Sequence, residues 1–550
     1  MAQKKVPAGL LTLLICLFMS LIAAITLAFL PKKPASSSPT AEPTVSPCRE
    51  HAFSAWEVTL PATVFDKGEE TRVCSVCGFA ETRETDVLPY DFDAVDYTAL
   101  EKALDNVPSS LKKLCTPESL ATLDKVKEDI RSRYGKMTQE MADDCIDEFY
   151  DAVASLDYPR GDTPRIYIFA PEKLTKKEFR NGVFLVVDKE GGSEKSICEP
   201  DGLIRLRGNT TGETYNKKLP YNIKFSRKVK FLGMGKAKKW ALLANSFDKS
   251  LIRNAVAVEF ADRLNLDYSS DYRYVELYYN GEYHGSYMVI ENVDVSSSRV
   301  DIDLDRGDYL VELEKSRVKT GVTYYKTPNR VRFAIEEPET PTDAQLAAIK
   351  ASLDEIDEAL KSGDEARIRA LVDVDSFLDF YLHGELLKNV DVGFSSTFFY
   401  RKDGLLYAGP VWDFDISSGN VHYTYYPEYN NLETSGNPLE GLWVSTQMKW
   451  FGFLCDTDWF PALVKARYKE IQPIIENLYR DNELGRSVID TLLDRYGASF
   501  ERNFTESPYT IYTDIRLGRL HGKTFQSNLD YLRTWIEDRN EWLLKKWKIQ

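Results

Sequence analysis

The feature that most constrains the fold is a β-hairpin signal between residues 397 and 411. Thr397–Arg401 and Leu405–Val411 are strand-like runs, separated by the two-residue turn signal Asp403-Gly404. A turn centred on that pair places residue 402 opposite 405 and residue 394 opposite 413. The open end of the hairpin then gathers three acidic residues, Asp391, Asp413 and Asp415.

Carboxylates gathered at one rim repel each other unless a cation or a shared proton relieves them. Two or three of them suit a Mg²⁺-phosphate site, which needs oxygen ligands for a hard metal and one carboxylate to orient a nucleophile. A set of solvated turn and capping aspartates is the alternative, and spacing alone leaves it open.

Length and charge bound the partners. A chain of 550 residues is too long for one core, so several modules are expected. The 85 acidic residues outnumber the 70 basic ones, giving a net charge of −15. Because binding to a phosphate backbone needs the opposite sign, we expect no nucleic-acid partner.

The N-terminus predicts a membrane anchor. After a short tail, residues 1–7, residues 8–30 form an uninterrupted apolar run that is long enough to span a bilayer. No small-x-small cleavage site follows, which favours a retained signal-anchor over a cleaved signal peptide. A Pro/Ser/Thr-rich linker covers residues 31–47. We expect a single-pass cell-membrane protein, bound to the membrane through this helix, with the bulk of the chain extracytoplasmic.

Residues 48–89 predict a small Cys-rich module. Thiol and imidazole groups occur in two close pairs, a spacing that suits tetrahedral Zn²⁺: Cys48 with His51, and Cys74 with Cys77. A disulfide from Cys48 to Cys74 or Cys77 is the alternative in an oxidising compartment. Either role is structural. The stretch also resembles a Cys-rich, zinc-ribbon-like repeat of surface proteins in Gram-positive bacteria.

Residues 90–160 predict three helices. Apolar residues recur at helical spacing, and Thr116-Pro-Glu-Ser and Thr138-Gln-Glu are typical helix starts. The segment resembles the FIVAR-type helical modules of bacterial surface proteins, which are spacers or binding units.

From residue 161 onwards the pattern changes to strands, followed by helices. A glycine-containing turn at 208–212 lies between two strands, and Lys224 follows near the end of the second. A kinase-type N-lobe neutralises phosphates in this way, although such a turn is most often merely a turn. In the helix that follows, Glu259 is a candidate ion-pair partner for Lys224, with Arg263 as its alternative. A second hairpin around Asn280-Gly281 ends at Glu291, where a kinase has its interlobe hinge.

Several linked motifs in this region resemble the spore-coat-protein-H (CotH) kinase family over about residues 162–550. They include Arg207-Gly-Asn-Thr, Leu219-Pro-Tyr-Asn-Ile-Lys224, Asp248-Lys-Ser-Leu-Ile-Arg-Asn254 and Gly409-Pro-Val-Trp-Asp-Phe-Asp415. The resemblance implies an α+β fold: an atypical, two-lobed, protein-kinase-like domain over residues 161–550 that follows the anchor, the Cys-rich module and the three-helix module.

The resemblance also implies roles for individual residues. Asp391 matches the catalytic-loop aspartate, Asp413 the metal-binding aspartate, and Asp415 a further carboxylate near the metal. Lys224 is the candidate phosphate-binding lysine, with Glu259 as its partner. Arg207 and Asn209 are expected at the phosphates and Glu291 near the adenine.

One position departs from a kinase catalytic loop. Five residues after Asp391, where an Asn usually binds the second metal, this chain has Ser396. Its hydroxyl is a weaker, neutral ligand, which puts a two-metal arrangement in doubt. The aromatic segment 420–443 is either a substrate lid or the packing of an insertion.

The resemblance implies phosphoryl transfer from ATP, with Mg²⁺ or Mn²⁺, to Ser or Thr of a protein substrate at the cell surface or spore coat. The alternative is a catalytically weak, kinase-like protein that binds wall or coat components. A third possibility, nucleotidyl transfer by the same site, would need the nucleotide flipped.

Overall fold

A computed structural model describes residues 50–549, except 106–116, 155–162, 189–194, 212–216, 432–433 and the single positions 172, 209, 210, 265, 316, 320, 423 and 514. The predicted tail, anchor and linker therefore lie outside the described residues. Among the helices that are described, none is long and apolar enough to cross a membrane. The chain divides into two compact units, residues 1–91 and 92–550.

The first unit contains a three-stranded antiparallel sheet in the order β1-β2-β3. The strands are β1 Glu57–Leu60, β2 Gly68–Val73 and β3 Ala80–Thr85. Large apolar side chains such as Val58, Phe65 and Val76 are exposed. A three-stranded sheet with so little buried apolar surface needs a metal or a covalent cross-link for stability.

The second unit begins with three helices, α1 Thr98–Asp105, α2 Pro117–Ser132 and α3 Gln139–Ala154. Their apolar faces meet around Leu104, Ile130 and Phe149, which are fully buried. The same cluster includes Leu185 and Val187, which belong to the strands that follow. The helices therefore pack directly on the large domain.

Seven strands then close into a barrel in the order β10-β8-β7-β6-β5-β4-β9. They are β4 Arg165–Phe169, β5 Arg180–Asp188, β6 Lys195–Leu206, β7 Tyr221–Lys230, β8 Lys236–Leu243, β9 Tyr272–Tyr279 and β10 Glu282–Glu291. Neighbouring strands are antiparallel except β4 and β9. Helix α4, Arg253–Arg263, lies between β8 and β9 in the chain.

Side chains of β7 and β8 alternate between two environments, as the period of a strand requires. Ile223 and Trp240 belong to the apolar core of the barrel. Ala241, on the opposite face, joins the larger core that fills the rest of the unit. Lys224 lies on the face of β7 opposite to Ile223, across from Lys239 of β8.

The C-terminal half combines a five-stranded sheet, in the order β12-β13-β11-β14-β15, with helices. Its strands are β11 Tyr309–Leu313, β12 Thr323–Lys326, β13 Arg332–Glu337, β14 Thr397–Lys402 and β15 Leu405–Ala408. Its helices are α5 Asp343–Ser362, α6 Glu365–Arg369, α7 Val374–Leu387, α8 Val444–Gln447, α9 Lys449–Cys455, α10 Trp459–Glu470, α11 Gln472–Tyr479, α12 Val488–Thr505 and α13 Phe525–Trp547. The fold is α+β.

The predicted hairpin is present as β14 and β15. Lys402 lies opposite Leu405, as the Asp403-Gly404 turn predicts. The second strand ends at Ala408 rather than at Val411, because Pro410 has no N–H to donate to a ladder. The chain leaves the sheet there and enters the predicted metal motif.

Candidate active site

The loop that carries Asp391 follows the end of α7. Lys388 ends this helix in the left-handed conformation, at φ 47°. Its ammonium donates to three backbone carbonyls between residues 429 and 440, at 2.7–2.9 Å. The chain then turns tightly, because the N–H groups of Phe394 and Ser395 both donate to the carbonyl of Asp391.

The segment that carries Asp413 is fixed by two asparagines from other parts of the chain. The side chain of Asn389, two residues before Asp391, donates to the carbonyl of Asp413 at 2.9 Å. The N–H of Phe414 donates to Oδ1 of Asn254 at 2.6 Å. These bonds hold Asp413 in the left-handed region, at φ 64°, a conformation that non-glycine residues adopt only where their surroundings impose it.

Asn254 belongs to a buried polar motif, Asp248–Asn254. Arg253 is 2% exposed, forms an ion pair with Asp248, and donates to the carbonyl of Ser417 at 3.1 Å. A weaker bond from the same guanidinium reaches the carbonyl of Ser418 at 3.4 Å. The motif quoted above for family resemblance thus holds the backbone on the C-terminal side of the carboxylates, a role that its sequence alone did not indicate.

Asp391, Asp413 and Asp415 come close enough to perturb one another. Burial raises the pKa of Asp391 to about 7, with repulsion from Asp413 adding to the rise and Arg317 opposing it. Burial also raises the pKa of Asp413, against Arg207 and Arg317. The pKa of Asp415 lies well above its usual value because of burial and repulsion from the other two. A cation at this position would relieve the repulsion.

Two arginines accompany the carboxylates. Burial lowers the pKa of Arg207, against the attraction of Asp413, and its Nη1 atom is buried with no hydrogen-bond partner among the described residues. Its guanidinium lies 5.3 Å from the centroid of Trp412. Arg317, 5.3 Å from the ring of Phe394, comes from the loop after β11. The sequence did not predict a role for Arg317 at the carboxylates, because nothing local links that loop to the hairpin.

Ser396 takes part in the site through its backbone. It has φ 55°, and its N–H donates to Glu312 at 2.8 Å. The other carboxylate oxygen of Glu312 accepts from Lys319 at 2.6 Å. The loop after β11 is thereby attached to the loop that carries Asp391. Asn209, the other predicted phosphate contact, lies outside the described residues.

Lys224 and Glu259 do not form the expected ion pair. Glu259 accepts from the hydroxyl of Tyr272 at 2.9 Å and lies 3.9 Å from Arg263, one turn further along α4. Glu259 therefore lies next to its alternative partner, Arg263. Lys224 stays on the outer face of the barrel, where its cross-strand neighbour is Lys239.

Glu291 lies at the end of β10, on the strand face opposite to Ile290. One carboxylate oxygen accepts from the N–H of Asp271 at 3.2 Å, and the other is buried with no partner among the described residues. The residue lines a cavity of about 300 Å³ together with Pro410, three positions before Asp413. The side chain therefore does not share the strand face that carries Lys224.

The aromatic segment 420–443 is anchored by buried cations. Arg539, fully buried, donates to the carbonyls of Leu439 and Gly441, beside the three carbonyls bound by Lys388. Tyr429 is fully buried as well. Burial and the negative charge of Asp391 raise the pKa of Tyr426.

The residues of the cluster fit a hard divalent cation by chemistry, because all the acidic ligands are oxygen donors. Their spacing is looser than a closed metal site. Within the part of the chain that the structure describes, the only group of three or more His, Cys, Asp or Glu with ligand atoms within 4.8 Å of one another is His51, Cys74 and Cys77.

That group unites three of the four predicted zinc ligands, and Cys48 lies outside the described residues. The Sγ atom of Cys77 lies 3.3 Å from Nδ1 of His51. Although burial opposes it, the pKa of Cys74 is lowered to about 6 by backbone N–H groups of Cys77 and Val76 and by His51. Both cysteines are free thiols. Thiolate and imidazole donors in contact are the ligands that Zn²⁺ prefers.

Comparison with known proteins places the large domain. The family model described as CotH kinase protein matches residues 204–543, which include the barrel strands from β7 onwards, the Asp248–Asn254 motif and the three aspartates. No curated protein matches the chain. Since the matched region covers more than half of its length, the chain belongs to the CotH kinase protein family.

Proposed function

We propose that this chain is an atypical protein kinase that transfers the γ-phosphoryl group of ATP to Ser or Thr hydroxyls of a protein at the cell surface or spore coat. The observation that carries the proposal is the half-buried cluster of Asp391, Asp413 and Asp415 with Arg207 and Arg317. Carboxylates for a metal and cations for phosphate oxygens, side by side, are what phosphoryl transfer requires. Membership of the family supports a kinase-like role.

Each residue has a distinct task in this proposal. Asp391 orients the acceptor hydroxyl and takes its proton. Asp413 and Asp415 hold a Mg²⁺ or Mn²⁺ ion, with Ser396 at the edge of the site. The metal, when bound, neutralises charge on the phosphate oxygens. Arg207, whose Nη1 atom has no protein partner among the described residues, is suited to a phosphate oxygen.

The remaining contacts come from the barrel, where Glu291 lies on one strand face at the end of β10 and Lys224 on the opposite, outer face. We assign Lys224 and Asn209 to the phosphates, and the segment that begins at Glu291 to the adenine. Lys224 and Lys239 lie side by side on this face, so neighbouring cations are available to a polyphosphate. We further propose a signal-anchor at residues 8–30, an extracytoplasmic location, and structural Zn²⁺ on Cys48, His51, Cys74 and Cys77.

The test is transfer of ³²P from γ-labelled ATP by the full chain, with Mg²⁺ or Mn²⁺ and a generic protein acceptor. We expect Asp391→Asn and Asp413→Asn each to lower the rate at least about 100-fold, as loss of a general base or of metal binding does. Asp403→Asn is the matched control, because it removes one carboxylate from the exposed tip of the same hairpin. Equal activity in Asp391→Asn and Asp403→Asn would refute the assignment.

One observation favours a second candidate, a kinase-like binding protein with weak catalysis. The three aspartates do not bring their oxygens within 4.8 Å of one another as a group, and Ser396 replaces the usual Asn. Binding of Mg²⁺-ATP separates the candidates, since a ligand that binds the native state raises the melting temperature. A chain that neither labels an acceptor nor is stabilised by nucleotide would be the binding protein.

A further inference from the structure

A second cavity, of about 560 Å³, lies at the N-terminal end of α7. Its walls come from the start of α7, from α10, from the hairpin strands β14 and β15, and from Leu264, Leu266 and Asp267. Five carboxylates line it: Asp267, Asp373, Asp375, Asp379 and Glu470.

Arg467 is the only basic residue in the lining, and two of the carboxylates already use it. Its guanidinium binds both oxygens of Asp379 at 2.8 Å and one oxygen of Glu470 at 2.8 Å. Asp373 caps α7 by accepting from the N–H of Ser376 at 2.7 Å, which satisfies hydrogen bonding but supplies no positive charge. The lining therefore keeps a large excess of negative charge.

Asp267 and Asp375 complete the acidic lining. Both are exposed, and neither side chain has a hydrogen bond or ion pair with another described residue. Asp375 lies in the first turn of α7, where the helix dipole stabilises a negative charge. Asp267 is attracted by the ammonium of Lys402, which donates to the hydroxyl of the neighbouring Tyr268 at 2.6 Å.

Tyr400 is an independent sign of a ligand. It is 1% exposed and lines the cavity, yet its hydroxyl has no hydrogen-bond partner among the described residues. Burial raises its pKa, and the negative charges of Asp267 and Asp373 add to the rise. The ring stacks on Tyr407, with centroids 5.0 Å apart and planes at 4°. Tyrosine oxygens and ring faces both attract cations.

The spacing of the carboxylates selects the type of cation. No three of them have ligand atoms within 4.8 Å of one another, since the compact group at His51 is the only one among the described residues. A single metal ion would therefore find too few ligand atoms within coordination distance. We propose that this cavity binds an extended organic cation with two or more ammonium or guanidinium groups, supplied either by a free polyamine or by a Lys/Arg-rich segment.

This cavity is separate from the carboxylate cluster. Helix α7 has 14 residues and is therefore about 20 Å long. The cavity lies at its first residues, and the loop to Asp391 follows its last. The proposal does not depend on phosphoryl transfer and survives if that activity is absent.

The test is calorimetric titration of the full chain with spermidine, with a peptide of alternating lysine and arginine, and with Mg²⁺. We expect saturable binding of spermidine or of the peptide that weakens as salt is raised. Asp267→Asn/Asp375→Asn should weaken it about tenfold, since each exposed charge pair contributes a few tenths to one kcal/mol. Tyr400→Phe, which deletes only the hydroxyl, should weaken it about threefold.

The control is Asp343→Asn/Glu355→Gln, which removes the same charge from exposed positions on α5. Undiminished binding in this control, with loss in the cavity variants, supports the proposal, and the tighter of the two organic ligands identifies the source. Equal loss in both double variants would reduce the effect to net charge and overturn it. Absence of saturable binding by either organic ligand, or equally tight binding of Mg²⁺ lost in the same variants, would also overturn it.

Discussion

Asn254→Ala tests whether the Asp248–Asn254 motif holds Asp413, the proposed metal ligand, in place. Asn254 is 4% exposed. Its Oδ1 accepts from the N–H of Phe414 at 2.6 Å, and its Nδ2 donates to Oδ1 of Asn245 at 3.0 Å. Alanine removes both bonds and leaves a buried donor and a buried acceptor without partners.

The size of the effect follows from those two groups. A buried polar group left without its partner costs roughly 1–3 kcal/mol. Allowing for the side-chain freedom that alanine no longer loses, we expect about 3 kcal/mol less free energy of unfolding. A domain of ordinary stability remains folded after that loss. The turn at Asp413 then keeps the bond from Asn389 to the carbonyl of Asp413 but loses the bond from the N–H of Phe414 to Asn254.

The functional consequence should exceed the stability loss. Partners that orient a metal ligand typically matter 10- to 100-fold for metal affinity, so we expect the Mg²⁺ concentration needed for half-maximal transfer to rise by about that factor. Urea unfolding gives the stability, and labelling at several Mg²⁺ concentrations gives the affinity.

Asn540→Ala is the matched control. Asn540 is 3% exposed, and its side chain makes three bonds: it accepts from Tyr468 at 2.7 Å and from Gln472 at 3.3 Å, and it donates to Gln472 at 3.0 Å. It should lose similar stability without a change in Mg²⁺ dependence. The reasoning fails if Asn254→Ala loses less than about 1 kcal/mol, or if both variants shift the Mg²⁺ dependence equally.

Three further predictions concern other parts of the chain. Replacing Cys74 by Ser should abolish binding of one Zn²⁺ per chain, measured by metal analysis after dialysis, whereas Cys145→Ser should retain it. Leu185→Ala should lower the free energy of unfolding in urea by about 3 kcal/mol, because Leu185 joins barrel and helices in one core; Asp201→Asn, which breaks only an exposed ion pair with Lys102, should cost under about 1 kcal/mol. Burial lowers the pKa of His383 to about 4, so its contribution to stability is complete above pH 6.5 and is lost as the pH falls towards 4, by about 3 kcal/mol. His383→Gln, which cannot titrate, should remove that part of the pH dependence, and an unchanged profile would contradict the assignment.

The hairpin was predictable because its signal is local. Asp403-Gly404 fixes the turn, the turn fixes the register, and Lys402 therefore lies opposite Leu405. The position of the aspartates near its open end follows from the same register. The three helices before the barrel were predictable from their apolar periodicity.

The contribution of β11 was not predictable in this way. Glu312 lies on that strand and Arg317 in the loop after it, and β11 reaches the site by pairing with β14 across a long stretch of chain. No local pattern sets such a pairing. The hydrogen-bond partner of Glu259 was equally hard to predict. The sequence suggested Lys224 or Arg263, but the hydroxyl that binds Glu259 belongs to Tyr272 on β9.

The backbone conformations around the site give a physical reason for the buried polar motifs. Asn245, Lys388, Ser396, Asp413 and Ser418 all have positive φ values between 47° and 64°. Each such position costs of order 1 kcal/mol for a residue with a side chain, and persists only where surrounding bonds impose it.

The surrounding bonds come from the Asp248–Asn254 motif and from Asn389, two residues before Asp391. Arg253 holds the carbonyl of Ser418, and Asn389 and Asn254 hold the two sides of the peptide between Asp413 and Phe414. These side chains therefore support the site by fixing the backbone that carries the carboxylates. A conservative change such as Arg253→Lys keeps the charge, but it loses the guanidinium fork that reaches Asp248 and two carbonyls at once. The orientation of Asp413 and Asp415 should therefore depend on residues that carry no chemistry of their own.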